Sequence, residues 1–205
     1  MDKIEFVSEI ERFYNRLVIE KGDYLSLFSE LQIQIEGWFR GELFNYIDKK
    51  VISMSTENRE VKIGEEERKK VDLRIKLNNK FYWIELKHLL VGYQLHQPFS
   101  LGTYFGNKGY VTDDINKLPL IKNEEVNHLY SLVFVSTNYK KDDCKDSNMK
   151  KEIHTESDLK SQFDDIMDKK PEIKKNIDLT SWEYNDHTHF GYLLLRVKNG
   201  NEKIR

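Results

Sequence analysis

The sequence predicts an α/β protein whose mixed β-sheet is flanked by helices, and three observations carry that expectation. Two amphipathic helical stretches open the chain, a tight hairpin follows, and later apolar strands alternate with helical segments. Residues 3–20 set Phe6, Val7, Ile10, Phe13, Tyr14, Leu17 and Val18 at helical spacing and stop at Lys21-Gly22-Asp23. A second helix is expected from about Tyr24 to Ile47, with Leu27, Leu31, Ile35, Trp38, Phe39, Leu43 and Tyr46 on one broad face. Residues 51–64 read as a strand or irregular hairpin arm, and the polar run EEERKK leads into strands at 71–77 and 80–90.

Beyond the hairpin, residues 93–112 are rich in Gly and aromatics and have no clear period, the mark of a functional or partly helical segment. DDINKLPLIKN opens a short helix cut by Pro119, and residues 130–138 form a continuous apolar run, as in a strand buried on both faces. TESDLKSQFDDIMDKK is an amphipathic helix with Thr155 or Ser157 as its cap, ending before Pro171, and residues 189–200 supply a last strand. With neither repeats nor low-complexity linkers, residues 1–205 are expected to form a single domain. It comprises an N-terminal helix (1–23), a core (24–138) and a C-terminal helix and strand (139–205).

Composition narrows the function. The chain has 205 residues, 39% hydrophobic and 12% aromatic, which is enough to build a core. Its 33 Lys and Arg against 35 Asp and Glu leave a formal charge of -2, so any phosphate-binding surface must be a local patch. The single cysteine, Cys144, lies in the polar run YKKDDCKDSN; it excludes an internal disulfide and fits a reducing, cytoplasmic setting. No apolar run approaches a membrane span and the N-terminus lacks a signal-peptide core, so no membrane partner is expected.

The hairpin carries the chemistry. Val71, Leu73, Ile75 and Leu77 alternate with Asp72, Arg74 and Lys76, the period of a half-buried strand. Asn78-Asn79 suits a two-residue turn, because Asn tolerates positive φ. That turn pairs Leu77 with Lys80, Ile75 with Tyr82 and Leu73 with Ile84, and therefore Asp72 with Glu85. Opposed residues point to one face with Cβ atoms about 5 Å apart. Lys87 lies on that face too, one strand repeat (roughly 7 Å) further on. Two opposed carboxylates destabilise a sheet unless a cation joins them, and a divalent metal plus the Lys87 ammonium would do so.

The letters Glu-x-Lys alone mean little in a chain that is 33% charged. They recur as Glu60-Val61-Lys62, which even has Asp48 upstream, and as Glu172-Ile173-Lys174. Only Glu85 and Lys87 lie inside a strongly apolar strand, FYWIELKHLL, where charge is costly to bury. The plain structural alternative is an amphipathic hairpin with a solvated polar face, Asp72 and Lys87 forming an ordinary surface pair.

Asp72, twelve intervening residues, and Glu85-Leu86-Lys87 on consecutive antiparallel strands behind a long helix resemble the PD-(D/E)xK superfamily of restriction-endonuclease-like nucleases. The resemblance covers about residues 27–138, in the order helix, three strands, helix and strand. It implies a restriction-endonuclease-like three-layer core and a Mg²⁺-dependent endonuclease or exonuclease, with Mn²⁺ as a substitute ion. Asp72 and Glu85 would ligate the ion, the Leu86 backbone carbonyl would complete the site, and Lys87 would orient or activate the attacking water. Val71 stands where the name-giving proline would. Many members add a glutamate from the preceding helix; Glu42, bordering the buried stripe, is preferred here over Glu36. Gln94 and Gln97 follow the hairpin where related nucleases place a polar residue near the scissile phosphate.

Phosphodiester hydrolysis asks for the same residue types independently of that name. It needs a hard cation held by carboxylate oxygens and a nearby ammonium that stabilises the anionic transition state. No glycine-rich loop with Lys-Ser/Thr offers a competing phosphate device. The expected partner is nucleic acid, DNA above all, and cutting both strands with one site per chain favours a homodimer, for which the 3–20 helix offers an interface. Tyr93, Phe99, Tyr104, Phe105, Tyr110 and Lys108 suit either base stacking or a loop folded over the sheet edge. Asp186-His187-Thr188-His189 reads as a polar loop before a strand and not as a metal site, and His88 is expected to pack on the opposite face from Lys87. Lys140, Lys141 and Lys145, interleaved with aspartates, read as a solvated loop. Two further functions stay open: a non-catalytic nucleic-acid-binding or assembly subunit of nuclease fold, and an unrelated α/β interaction domain carrying the motif by accident.

Overall fold

A six-strand path with one short added strand forms the centre of the molecule. The structure, a computed structural model, describes residues 2–31, 33–50, 55–62, 70–77, 80–94, 97–106, 110–121, 126–137 and 155–198. Two helices, α1 (Asp2–Leu31) and α2 (Glu36–Lys50), precede strands β1 (Ser55–Lys62), β2 (Lys70–Leu77), β3 (Lys80–Gln94) and the short β4 (Gln97–Phe99). Helices α3 (Leu101–Tyr104) and α4 (Tyr110–Lys117), a 3-10 turn, and strand β5 (Val126–Thr137) follow. The chain continues through α5 (Glu156–Lys169), α6 (Pro171–Lys174), β6 (Ile177–Asn185) and β7 (Phe190–Val197).

The sheet order is β1-β2-β3-β5-β7-β6, with β4 paired to β3. Only β3 and β5 run parallel; the other pairs are antiparallel, so the sheet is mixed. Helices cover both faces. On one, Phe6, Phe13 and Leu17 of α1 and Phe39 and Leu43 of α2 pack on Tyr82, Ile84, Leu132, Phe134, Tyr192 and Leu194. On the other, Phe105, Val111, Ile115, Leu159, Phe163 and Ile166 pack on Trp83, Leu89, Val133, Val135, Leu193 and Leu195. The central strands β5 and β7 are buried on both faces, which is why they read as continuous apolar runs.

The N-terminal helix is tied to the C-terminal hairpin. Tyr14 donates its hydroxyl to the Phe190 carbonyl (2.8 Å), Ser29 to that of His189 (3.2 Å), and Ser181 of β6 to Glu11 (2.9 Å). In the β6–β7 turn Asn185 Oδ1 accepts from the His187 and Thr188 amides, so the Asp186–His189 segment is a polar turn, as its residues suggested. Gly191 fits where nothing larger would: a Cβ there would lie 2.6 Å from the Glu183 carbonyl oxygen.

Several boundaries differ from the sequence reading. The first helix is broken at Lys21 (φ -133, ψ 15), where its end was expected, and a further helical stretch follows directly and runs to Leu31. The second helix expected from about Tyr24 to Ile47 is instead interrupted: helical residues run to Leu31 and α2 begins at Glu36. The break has a tertiary cause: the Ile35 amide, which helical pairing would otherwise use, donates to His88 Nδ1 at 3.3 Å. The unpatterned 93–112 segment supplies β4, α3 and the start of α4. Strand β6 escaped notice because it is an edge strand, half-exposed along most of its length and bearing no apolar run. Thr155 caps α5 through a reciprocal pair with Asp158. No described helix is long and apolar enough to cross a membrane.

Candidate metal and phosphodiester site

The site grows out of the β2–β3 register. Leu77 pairs with Lys80, Ile75 with Tyr82 and Leu73 with Ile84, although the Asn78-Asn79 turn itself lies outside the described residues. The paired ladder stops at Leu73 and Ile84, one step short of Asp72 and Glu85, whose charges lie within each other's field. Beyond it the Leu86 amide donates to Asp72 Oδ2 at 2.9 Å, so a carboxylate takes the place of a strand carbonyl. The shared polar face is not a solvated one. Arg74 stacks its guanidinium over Phe81 (4.9 Å) and Trp83 (5.5 Å), and Glu85 is only 5% exposed.

Two residues that the sequence reading passed over complete the arrangement, both from α4. Lys117 Nζ lies 2.5 Å from Glu85 Oε1 and 3.7 Å from Asp114 Oδ1, and Lys87 Nζ lies 3.5 Å from Asp114 Oδ2. Asp72 pairs instead with Arg40 of α2 (3.6 Å), not with Lys87. A signal for α4 was present: Val111 and Ile115, with Leu118 just beyond the helix, form a buried stripe, and Asp114 is buried beside it where an apolar residue is the rule.

The two helix glutamates lie in different surroundings. Glu42 lies in a depression between α1 and α2, lined by Phe13, Arg16, Leu17, Glu20 and Tyr46, because its position turns it towards α1. Glu36, at the first turn of α2, is the helix acid within electrostatic reach of Lys87 and Asp72. Burial raises its pKa; Asp72 adds to the rise, and Lys87 together with a backbone hydrogen bond from His88 opposes it. The Leu86 side chain is buried on the opposite face. The side chains of Gln94, Gln97, Tyr93, Phe99 and Lys108, and all of residues 138–150 with Cys144 and Lys140, lie outside the description. Tyr104 and Phe105 are buried, Tyr104 donating to the Leu90 carbonyl, whereas Tyr110 is exposed.

Electrostatics mark the site as strained by like charge. Burial, then Asp72 and Asp114, push the Glu85 carboxyl up to about 7 against the pull of Lys117. Asp114 is likewise pushed up to about 6 by burial, with Lys87 and Lys117 opposing. At Lys87 burial works against the charge, but Asp114, Glu36, Glu85 and Asp72 outweigh it and hold its pKa above the ordinary lysine value. His88 points away, as strand alternation requires: Nε2 lies 2.8 Å from Ser136 Oγ, and burial lowers its pKa to about 3. It is a neutral core histidine.

Whether these groups suit a divalent cation turns on their open valences. Glu85 Oε2 is buried and has no hydrogen-bond partner among the described residues; neither have Thr112 Oγ1 and Ser131 Oγ, and Ser131 is the strand neighbour of Glu85 on β5. The unpartnered oxygens of Glu85 and of its strand neighbour Ser131 are hard donors of the kind a divalent cation takes. Set against this, no group of three or more His, Cys, Asp or Glu among the described residues is assembled to hold a metal, and Lys117 occupies one oxygen of Glu85. Asp72 and Glu85 thus have the donor chemistry for such an ion, with a lysine in competition for it. No family model matches this chain, and neither a curated protein nor a solved structure matches it.

Proposed function

We propose that the protein is a divalent-metal-dependent nuclease of restriction-endonuclease-like fold, hydrolysing phosphodiester bonds in DNA through Asp72, Glu85 and Lys87. The observation that carries this reading is a pair of carboxylates, Asp72 and Glu85, within each other's field, Glu85 buried with an orphan oxygen and two residues from Lys87 on its strand. Asp72 and Glu85 would hold the ion, Mg²⁺ in function and Mn²⁺ as a substitute; Glu36 stands close enough to join through its field. The bound ion would polarise the phosphoryl group and lower the pKa of the attacking water. Asp72 keeps its orientation through the Leu86 amide, which holds Oδ2, and through Arg40, which faces Oδ1 at 3.6 Å and would have to share it with the ion. Lys87 stays protonated in this acidic setting, so its role is to orient water and stabilise the anionic transition state by charge. Its partner Asp114 holds the ammonium in place.

A second reading is a non-catalytic nucleic-acid-binding or assembly subunit, and the ion pairs Asp72–Arg40, Asp114–Lys87 and Glu85–Lys117 favour it. Both readings allow a homodimer. Cleavage of plasmid, linear and single-stranded DNA with Mg²⁺, Mn²⁺ or EDTA separates them, with Asp72→Ala and Lys87→Ala alongside. The nuclease reading expects cleavage with either ion, none in EDTA and a loss of at least about a hundredfold in each variant. Cleavage that persists in EDTA or in either variant refutes it.

A further inference from the structure

Lys117 of α4 has a geometry that the nuclease reading leaves unused. Lys117 is held by two carboxylates at once, Glu85 at 2.5 Å and Asp114 at 3.7 Å, and is about one-fifth exposed, so it borders both the buried pair and solvent. Asp114, almost fully buried, is shared between Lys87 and Lys117. With all four carboxylates ionised, Asp72, Glu85, Asp114 and Glu36 face Arg40, Lys87 and Lys117 and leave one formal negative charge. A site in that state repels a phosphodiester. One dication turns the balance to a single positive charge, which one phosphodiester neutralises.

We propose that Lys117 is a second substrate lysine that exchanges between Glu85 and the scissile phosphate. Without a cation its ammonium holds Glu85; when a dication takes Glu85, Lys117 is released to hold a non-bridging phosphate oxygen, and Asp114 keeps it within reach. Metal and DNA then bind in order, the ion first, because the ion both reverses the local charge and frees the lysine. The inference rests on the nuclease reading and deepens it.

Two measurements test it, neither read from activity. Mn²⁺ is titrated calorimetrically at pH 8 into wild type, Lys117→Met, Lys117→Arg and Asp72→Ala, each checked for folding by thermal melting. Removing a charge-assisted contact to Glu85 is expected to tighten Mn²⁺ binding about tenfold in Lys117→Met, with Lys117→Arg within a factor of about two of wild type. Equal or weaker binding in a folded Lys117→Met overturns the proposal. The second measurement needs no variant: labelling of Lys117 in the wild-type protein by an amine-reactive reagent, read by mass spectrometry, is expected to rise severalfold with Mn²⁺ and fall again with added duplex DNA. Labelling that ignores Mn²⁺, or rises with it and ignores DNA, overturns the exchange. If wild type and Asp72→Ala take up Mn²⁺ alike, it is the metal site itself that fails.

Discussion

Glu85→Gln offers the sharpest test of the site, because it should stabilise the metal-free fold in a pH-dependent way. The Glu85 carboxyl is raised from an ordinary 4.5 to about 7, chiefly by burial and then by Asp72 and Asp114. At about 1.4 kcal/mol per pH unit, that amounts to roughly 3 kcal/mol favouring the protonated form in the folded protein, taken as an upper bound. The stability this group contributes is therefore fully present below about pH 4.5 and lost as the pH rises through 7. A glutamine keeps the shape of the protonated acid and cannot ionise. In EDTA, urea unfolding should show the variant more stable than wild type by about 2–3 kcal/mol at pH 8, the gap closing by pH 4.5. Added Mg²⁺ should raise the wild-type midpoint and leave that of the variant in place, since only the wild type gains free energy from binding. The reasoning is refuted if the variant is less stable than wild type at pH 8. That result would make the Lys117 ion pair worth more than the burial and repulsion it opposes.

Two further substitutions probe the helix acid and the frame. Glu36→Gln should weaken calorimetric Mn²⁺ binding about tenfold while Glu42→Gln leaves it unchanged, since only Glu36 feels Lys87 and Asp72; equal effects would show the wrong carboxylate has been chosen. Gly191→Ala should cost about 2–3 kcal/mol in urea unfolding, because its Cβ would meet the Glu183 oxygen at 2.6 Å and Tyr184 Cδ2 at 2.7 Å; an unchanged midpoint would mean that β6 moves aside freely.

The sequence made the hairpin legible because two local rules agree there. Period-two alternation on both sides of a two-residue Asn turn leaves one register, and that register fixes the Leu73–Ile84 pair. Glu85 and Lys87 stood out because a buried strand seldom carries charge. The partners of those charges were not legible in the same way. Asp114 and Lys117 meet Glu85 from 29 and 32 positions downstream, by the packing of α4 on the sheet, which no local period encodes. Glu36 and Glu42 lie on one helix, and only the place where α2 starts decides which of them turns to the site. That start depends on the bond between the Ile35 amide and His88, made 53 positions apart. Strand β6 shows the limit from the other side: an edge strand needs little apolar patterning, so it left little.

The seating of α1 on the last hairpin has a consequence for synthesis. Tyr14 and Ser29 find their acceptors at Phe190 and His189, 176 and 160 positions later in the chain. At roughly 5–20 residues per second, the ribosome delivers that hairpin on the order of ten seconds or more after α1 has emerged. Through that interval Phe6, Ile10, Phe13 and Leu17, all buried in the finished molecule, have no β7 to cover them. A nascent chain cut short before Phe190 would expose the same stripe permanently, so chaperone engagement and proteolytic clearance should centre on the N-terminal helix.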